Sequence, residues 1–140
     1  MLRAVVDSNV FYAALYSNAG ASHELLRLLS MGRWKMVLSN TLCAEYEEVL
    51  KRDAPALGLA PHEINRFLDA LCAVAERHRL KSRWIPVLSD PDDEPQVHLA
   101  FEANVRYIVT HNVKHLHPAR ELGIAVLTPK EFLKIVREQS

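Results

Sequence analysis

Glycine is scarce, with four in 140 residues, and none is arranged to cradle a phosphate. That excludes the glycine-loop nucleotide binders. Cysteine is scarcer: Cys43 and Cys72 are the two in the chain. Both fall in apolar helical patterns and read as buried thiols in a reducing cytoplasm, not as a disulfide or a metal pair. No apolar run approaches membrane-spanning length, and the N-terminus lacks a signal-peptide layout. Net charge is absent too, with 17 basic and 17 acidic residues. Any contact with nucleic acid must therefore come from a local patch. Repeats, low-complexity tracts and linkers are missing. Composition is that of a soluble globular chain, 49% hydrophobic and 24% charged, so one cytoplasmic domain over residues 1–140 is expected.

What the chain has instead is a dense knot of acid. Ser89-Asp90-Pro91-Asp92-Asp93-Glu94-Pro95 follows the apolar run Ile85-Pro86-Val87-Leu88 and precedes a helical pattern. Carboxylates this close raise one another's pKa, and a divalent cation is the simplest relief. The ordinary alternative is an acidic loop that caps a helix and meets its dipole.

Short apolar runs alternate with helical patterns along the chain. Strands are expected at Arg3–Val6, Met36–Leu38, Ile85–Leu88, Tyr107–Val109 and Ile124–Leu127. Helices are expected from Val10 to Tyr16, Ala21 to Met31, Thr41 to Arg52, Pro61 to about His78, Val97 to Asn104 and Pro129 to Val136, with Phe101 among the core contacts. Alternation with apolar strands indicates an α/β fold, a parallel sheet covered by helices on both faces as a three-layer α/β/α sandwich. Ligands of such sheets bind beyond the carboxyl ends of the strands. Those ends hold Asp7, Ser39, Asp90 to Glu94, Thr110 to Asn112, and Thr128. Glu45 lies one turn into the helix that leaves this rim, on its inward face, where a charge needs a partner. Converging carboxylates at one rim suit one or two Mg²⁺ or Mn²⁺ ions. A pair of such ions ~4 Å apart hydrolyses phosphodiesters.

The ordered set of motifs resembles the PIN-domain family of metal-dependent ribonucleases, most closely the branch assigned as toxins of toxin–antitoxin systems. Val5-Val6-Asp7-Ser8-Asn9-Val10 is similar to the family's opening signature. Glu45 matches its second acid, and Asp90-Pro91-Asp92-Asp93-Glu94 its acidic loop. Tyr107-Ile108-Val109-Thr110 matches its fourth strand, and Leu127-Thr128-Pro129-Lys130-Glu131-Phe132 the branch's usual ending. The resemblance implies a five-stranded sheet of order 3-2-1-4-5, RNA as substrate, Mg²⁺ or Mn²⁺ as cofactor, a homodimer and an antitoxin partner. It implies Asp7, Glu45, Glu94 and Asp93 as metal ligands. The family's acid-to-acid interval, counted back from position 112, lands on Glu94. Its fourth acid falls on Asn112, which keeps a carbonyl oxygen but loses a charge, so a second metal is expected to bind less well.

Around this set, Asn9, Ser39, Asp92 and Thr110 are expected in support, orienting a metal-bound water or capping helices. The basic stretch Arg77, Arg79, Lys81, Arg83 and Trp84, with Lys114, could hold an RNA backbone, with Trp84 or Trp34 stacking on bases; it could equally be a solvated helix end. His111, His115 and His117 read as a polar loop or as metal or phosphate contacts. Two other functions compete. One is a catalytically weak PIN-like module that binds RNA or protein, suggested by Asn112. The other is a receiver-type phosphoacceptor domain using Asp7, Asp90, Thr110 and Lys130. That site wants paired acids after the first strand, where Ser8 stands, and it leaves Glu45 without a role.

Overall fold

The computed structural model describes residues 1–82 and 94–139, with Glu94 by its backbone only. Five short strands, β1 (Arg3–Val6), β2 (Lys35–Leu38), β3 (Glu76–Arg77), β4 (Tyr107–Val109) and β5 (Ala125–Leu127), form one all-parallel sheet in the order β3-β2-β1-β4-β5. Register pairs Ala4 with Met36 on one side of β1 and with Tyr107 on the other. Val5, Val6, Met36, Val37, Leu38, Ile108 and Val109 are essentially inaccessible, because helices cover both faces of the sheet. The chain winds outward from β1 to β3, then returns to lay β4 on the opposite side of β1. The reversal opens a crevice between the carboxyl ends of β1 and β4.

The third strand departs from the sequence expectation. The preceding helix, α5 (Pro61–Val74), stops at Val74 instead of running to about His78. Glu76 and Arg77 then pair with Val37 and Leu38. Ile85–Leu88, where the strand was expected, lies outside the described residues. Charge explains why a search for apolar runs passes over β3. It is an edge strand open to solvent, and Arg3 of β1 reaches Glu76 across β2, its Nε donating to Glu76 Oε1 at 3.1 Å. Arg3 Nη1 also donates to the carbonyl of Ala103 at 3.1 Å.

The remaining elements are α1 (Ser8–Tyr16), α2 (Ala21–Ser30), α3 (Asn40–Arg52), α4 (Ala54–Leu57), α6 (Glu94–Glu102), α7 (Val113–Leu116), a 3₁₀ turn (His117–Leu122) and α8 (Pro129–Glu138). The short α4 adds to the helices expected from the sequence. Ala54-Pro55 does not merely end α3; it starts a further turn, with proline tolerated because its first-turn N–H would go unused. Ser39 caps α3 by accepting the Leu42 N–H at 3.2 Å. Thr128 and Glu131 exchange reciprocal side-chain and backbone bonds at the start of α8. Asn104 closes α6 at φ 54°, a left-handed conformation that asparagine tolerates better than most residues.

α2 packs on α1 and α8, α3 on α5, and α6 lies over β1, β2 and β4. Trp34 is 1% exposed, with its indole N–H on the Leu25 carbonyl at 2.9 Å and its ring edge-on to Phe132 at 5.2 Å. It is a core residue, so the expectation that it stacks on bases is corrected. Phe101 is corrected the other way: it is half-exposed, because the buried face of α6 runs through Val97 and Ala100. After β3, Glu102 collects the N–H groups of Lys81 at 2.8 Å and Ser82 at 2.5 Å, and His78 Nε2 at 2.5 Å. Residues 78–82 are thereby fastened to the end of α6. Cys43 and Cys72 are half-buried thiols with sulfurs 3.8 Å apart, and burial pushes the Cys43 thiol up.

Candidate active site

Val6 is the last residue of β1, and Asp7 continues its ladder by donating its backbone N–H to the Val109 carbonyl at 2.9 Å. Asp7 stands at the N-cap of α1, yet its carboxylate makes no capping bond. Capping is the commonest structural duty of an aspartate there. This side chain turns instead across the crevice. Thr110, the residue after β4, donates its hydroxyl to Asp7 Oδ2 at 2.7 Å. Asn9 Nδ2 bridges Asp7 Oδ2 at 3.3 Å and Thr110 Oγ1 at 3.4 Å. On the other oxygen, Ser8 Oγ and Gln96 Nε2 each approach Oδ1 at 3.4 Å. Only the Thr110 bond has ordinary length. The other three lie at the long limit, so they orient the carboxylate without exhausting its lone pairs.

The Thr110 hydroxyl is itself held. It accepts the Asn112 backbone N–H at 3.0 Å, and Asn9 Oδ1 accepts the His111 N–H at 3.2 Å. Asn112, the expected fourth site position, is exposed and caps α7 without a side-chain capping bond. It belongs to the rim through its backbone.

Glu45 arrives by way of its neighbour Tyr46. Tyr46 is buried edge-on against Phe11 at 4.8 Å, and its phenol donates to the Val6 carbonyl, directly beneath Asp7. That clamp fixes α3 to the end of β1. Burial, then the negative charges of Asp7 and Glu45, hold the Tyr46 phenol well above its ordinary pKa, so it remains a donor. Both carboxylates thus act on one buried hydroxyl. One oxygen of Glu45, Oε2, is inaccessible to solvent.

Gln96 was missed by the sequence reading. It is 1% exposed on α6, two residues after Glu94, and its Oε1 has no hydrogen-bond partner among the described residues. A buried amide oxygen left so is costly, so it calls for a hydrogen-bond partner. The signal was present in the sequence: Gln96 shares a helical face with Ala100 and Ala103, both buried, and a polar group there calls for a partner.

Among the other expected site residues, Ser39 is buried and serves as the α3 cap. Arg77 is exposed and donates to Asn40 Oδ1 at 2.7 Å, at the strand-end rim. It lies on β3, not on a helix end. Arg79, Lys81 and Lys114 are exposed. Asp90, Asp92, Asp93, Arg83 and Trp84 lie outside the described residues, as does the side chain of Glu94. Among the described residues, no group of three or more His, Cys, Asp or Glu is placed to hold a metal, and no helix is long and apolar enough to cross a membrane. Asp7, Glu45 and Gln96 Oε1 nevertheless offer only oxygen, the donor type that Mg²⁺ and Mn²⁺ take, so the residues present fit such an ion.

A parallel α/β sandwich with an oriented carboxylate at its topological reversal defines a class of strand-end sites. The family follows from direct comparison. A family model described as PIN domain matches residues 3–114, and the chain belongs to that family. PIN domains are generally nuclease-like and generally use divalent metals. Among solved structures, a PilT N-terminus domain protein from the hyperthermophilic archaeon Sulfolobus solfataricus P2 is similar over 98% of this chain and 95% of its own, with a TM-score of 0.57 and 16% identity. That likeness supports the fold. No curated protein matches the chain.

Proposed function

We propose that the chain is an Mg²⁺- or Mn²⁺-dependent endoribonuclease. The observation that carries this reading is the Asp7 carboxylate, which forgoes its capping bond and is oriented at the crevice by Thr110, Asn9, Ser8 and Gln96. Asp7 and Glu45, with Asp93 and Glu94 from the acidic loop, would hold the ion. Such an ion polarises a phosphoryl oxygen and lowers the pKa of a bound water. The chain's own part is positional. Thr110 fixes Asp7 Oδ2, Asn9 locks Thr110 to Asp7, and the Tyr46 clamp presents Glu45 at the same rim. Exposed Arg77 and Lys114 supply positive charge for an RNA backbone.

The toxin role in a toxin–antitoxin pair, homodimer formation and an antitoxin that covers the rim belong to the same proposal, and they rest on the motif resemblance. Asn112 motivates a second reading, a catalytically weak PIN-like domain that binds RNA or a protein. Incubation with single-stranded RNA and Mn²⁺ separates the two. The nuclease gives EDTA-sensitive cleavage that Asp7→Asn lowers by about 100-fold or more. Binding without turnover in any metal selects the second reading, and an Asp7→Asn variant that cleaves like wild type refutes the site.

A further inference from the structure

Beside the rim, on the far side of Thr110 from Glu45's helix, lies a cavity of about 400 Å³. Tyr12, Tyr16, Ser22, His111, Pro129 and Lys130 are among its walls. Its size suits a small organic group. Tyr12 and Tyr16, one helical turn apart on α1, stack with ring centroids 6.0 Å apart and planes 15° from parallel. Tyr16 is nevertheless 69% exposed, an unusual outlay of aromatic surface at the mouth of a cavity. His111 is pinned to the opposite wall, its Nε2 3.3 Å from Ser22 Oγ. Lys130 is exposed in the first turn of α8, where a cation opposes the helix dipole. The helix gains nothing from it, whereas an anion alongside would.

The cavity is joined to the acid site by consecutive residues. Thr110 holds Asp7, and His111, the next residue, lines the cavity. A flat aromatic face, a ring and hydroxyl able to hydrogen-bond, and a nearby cation are the parts that bind an unpaired nucleotide. We propose that this cavity receives one unpaired base of the RNA strand beside the scissile phosphate, stacked on Tyr16, with Lys130 facing an adjacent phosphate. This rests on the ribonuclease reading for its substrate.

The test is binding without cleavage. Fluorescence anisotropy with a labelled single-stranded hexaribonucleotide, in EDTA, compares wild type with Tyr16→Ala, Tyr16→Phe and Lys130→Ala. Loss of one stacked base weakens binding roughly five- to a hundredfold, so Tyr16→Ala should fall by that factor while Tyr16→Phe stays near wild type. Lys130→Ala should weaken binding and flatten its salt dependence. Both side chains are exposed, so an unchanged Tm is expected to accompany these losses. Tyr16→Ala that binds RNA like wild type overturns the base site, and if it also cleaves normally in Mn²⁺ the nuclease reading stands without it. A protein partner as the true occupant gives the same overturning result. Weakened binding by Tyr16→Ala in a protein that cleaves nothing upholds the cavity as a site for an unpaired RNA base, without a scissile phosphate beside it, and sinks the nuclease.

Discussion

At the scale of the residue, Asp7 and Thr110 form the centre of the candidate site. A carboxylate with one short bond and three long ones has its direction set by the short one. Thr110→Val keeps the shape of the side chain and removes that bond, together with the acceptor for the Asn112 N–H and for Asn9 Nδ2. If Asp7 holds the proposed ion, Thr110 orients a metal ligand without touching the metal, and such partners typically contribute 10- to 100-fold. Thr110→Val is therefore expected to weaken Mn²⁺ affinity by about 10- to 100-fold with the fold intact, read by calorimetric titration and by circular dichroism. Unchanged Mn²⁺ affinity would show that Asp7 does not depend on Thr110. Gln96 illustrates the same logic from a residue with no charge at all: its buried amide matters because its two ends face different neighbours, one the Asp7 carboxylate and the other unmatched among the described residues.

At the scale of the element, the site depends on where chain segments are fastened. α3 is fastened by Tyr46 to β1, and residues 78–82 are fastened by Glu102 to α6. Hydrogen bonds from the Ser82 side chain and backbone, then from Lys81 and His78, lower the Glu102 pKa from 4.5 to about 2. A folded-state pKa below the unfolded one contributes stability that is fully present above the unfolded value and is lost as pH falls through the folded one. Glu102→Ala should therefore lower Tm at pH 7, and the gap from wild type should close as the pH drops from 4.5 toward 2. A gap that persists at the acid end would mean that the carboxylate's charge is not what holds the segment. Because α6 also carries Gln96 to Asp7, loosening this fastening is expected to reach the site.

At the scale of the whole molecule, the proposed metal site would tie metal binding to folding. On the proposed reading the ligands come from separate parts of the chain, so the ion would bind only the folded protein. Mn²⁺ at a hundred times its dissociation constant should stabilise the protein by about 2.7 kcal/mol, on the order of 8 °C in Tm for a domain of this size. Asp7→Asn should abolish most of that shift in thermal denaturation followed by circular dichroism. An equal shift in the variant would place the bound ion elsewhere.

Much of this molecule was legible in its residues alone. Apolar runs without alternation are what a strand buried on both faces requires, so the parallel sheet and its strand-end rim could be read directly, and with them Asp7, Asn9 and Thr110 as rim residues. Strand β3 could not be read so, because an edge strand needs no apolar faces and Glu76 is neutralised by Arg3, seventy-three positions away. Trp34 shows the limit for single side chains: a tryptophan is equally able to stack on a base or fill a core, and only the position of Phe132 and the Leu25 carbonyl decides. The sequence determined which polar residues follow each apolar strand, Asp7 and Thr110 among them, because an apolar run and the residues that end it are local information. Tertiary structure decided how the groups at the rim are aimed, because aim comes from contacts between residues 40 to 103 positions apart: Thr110 on Asp7, Gln96 on Asp7, Tyr46 on Val6.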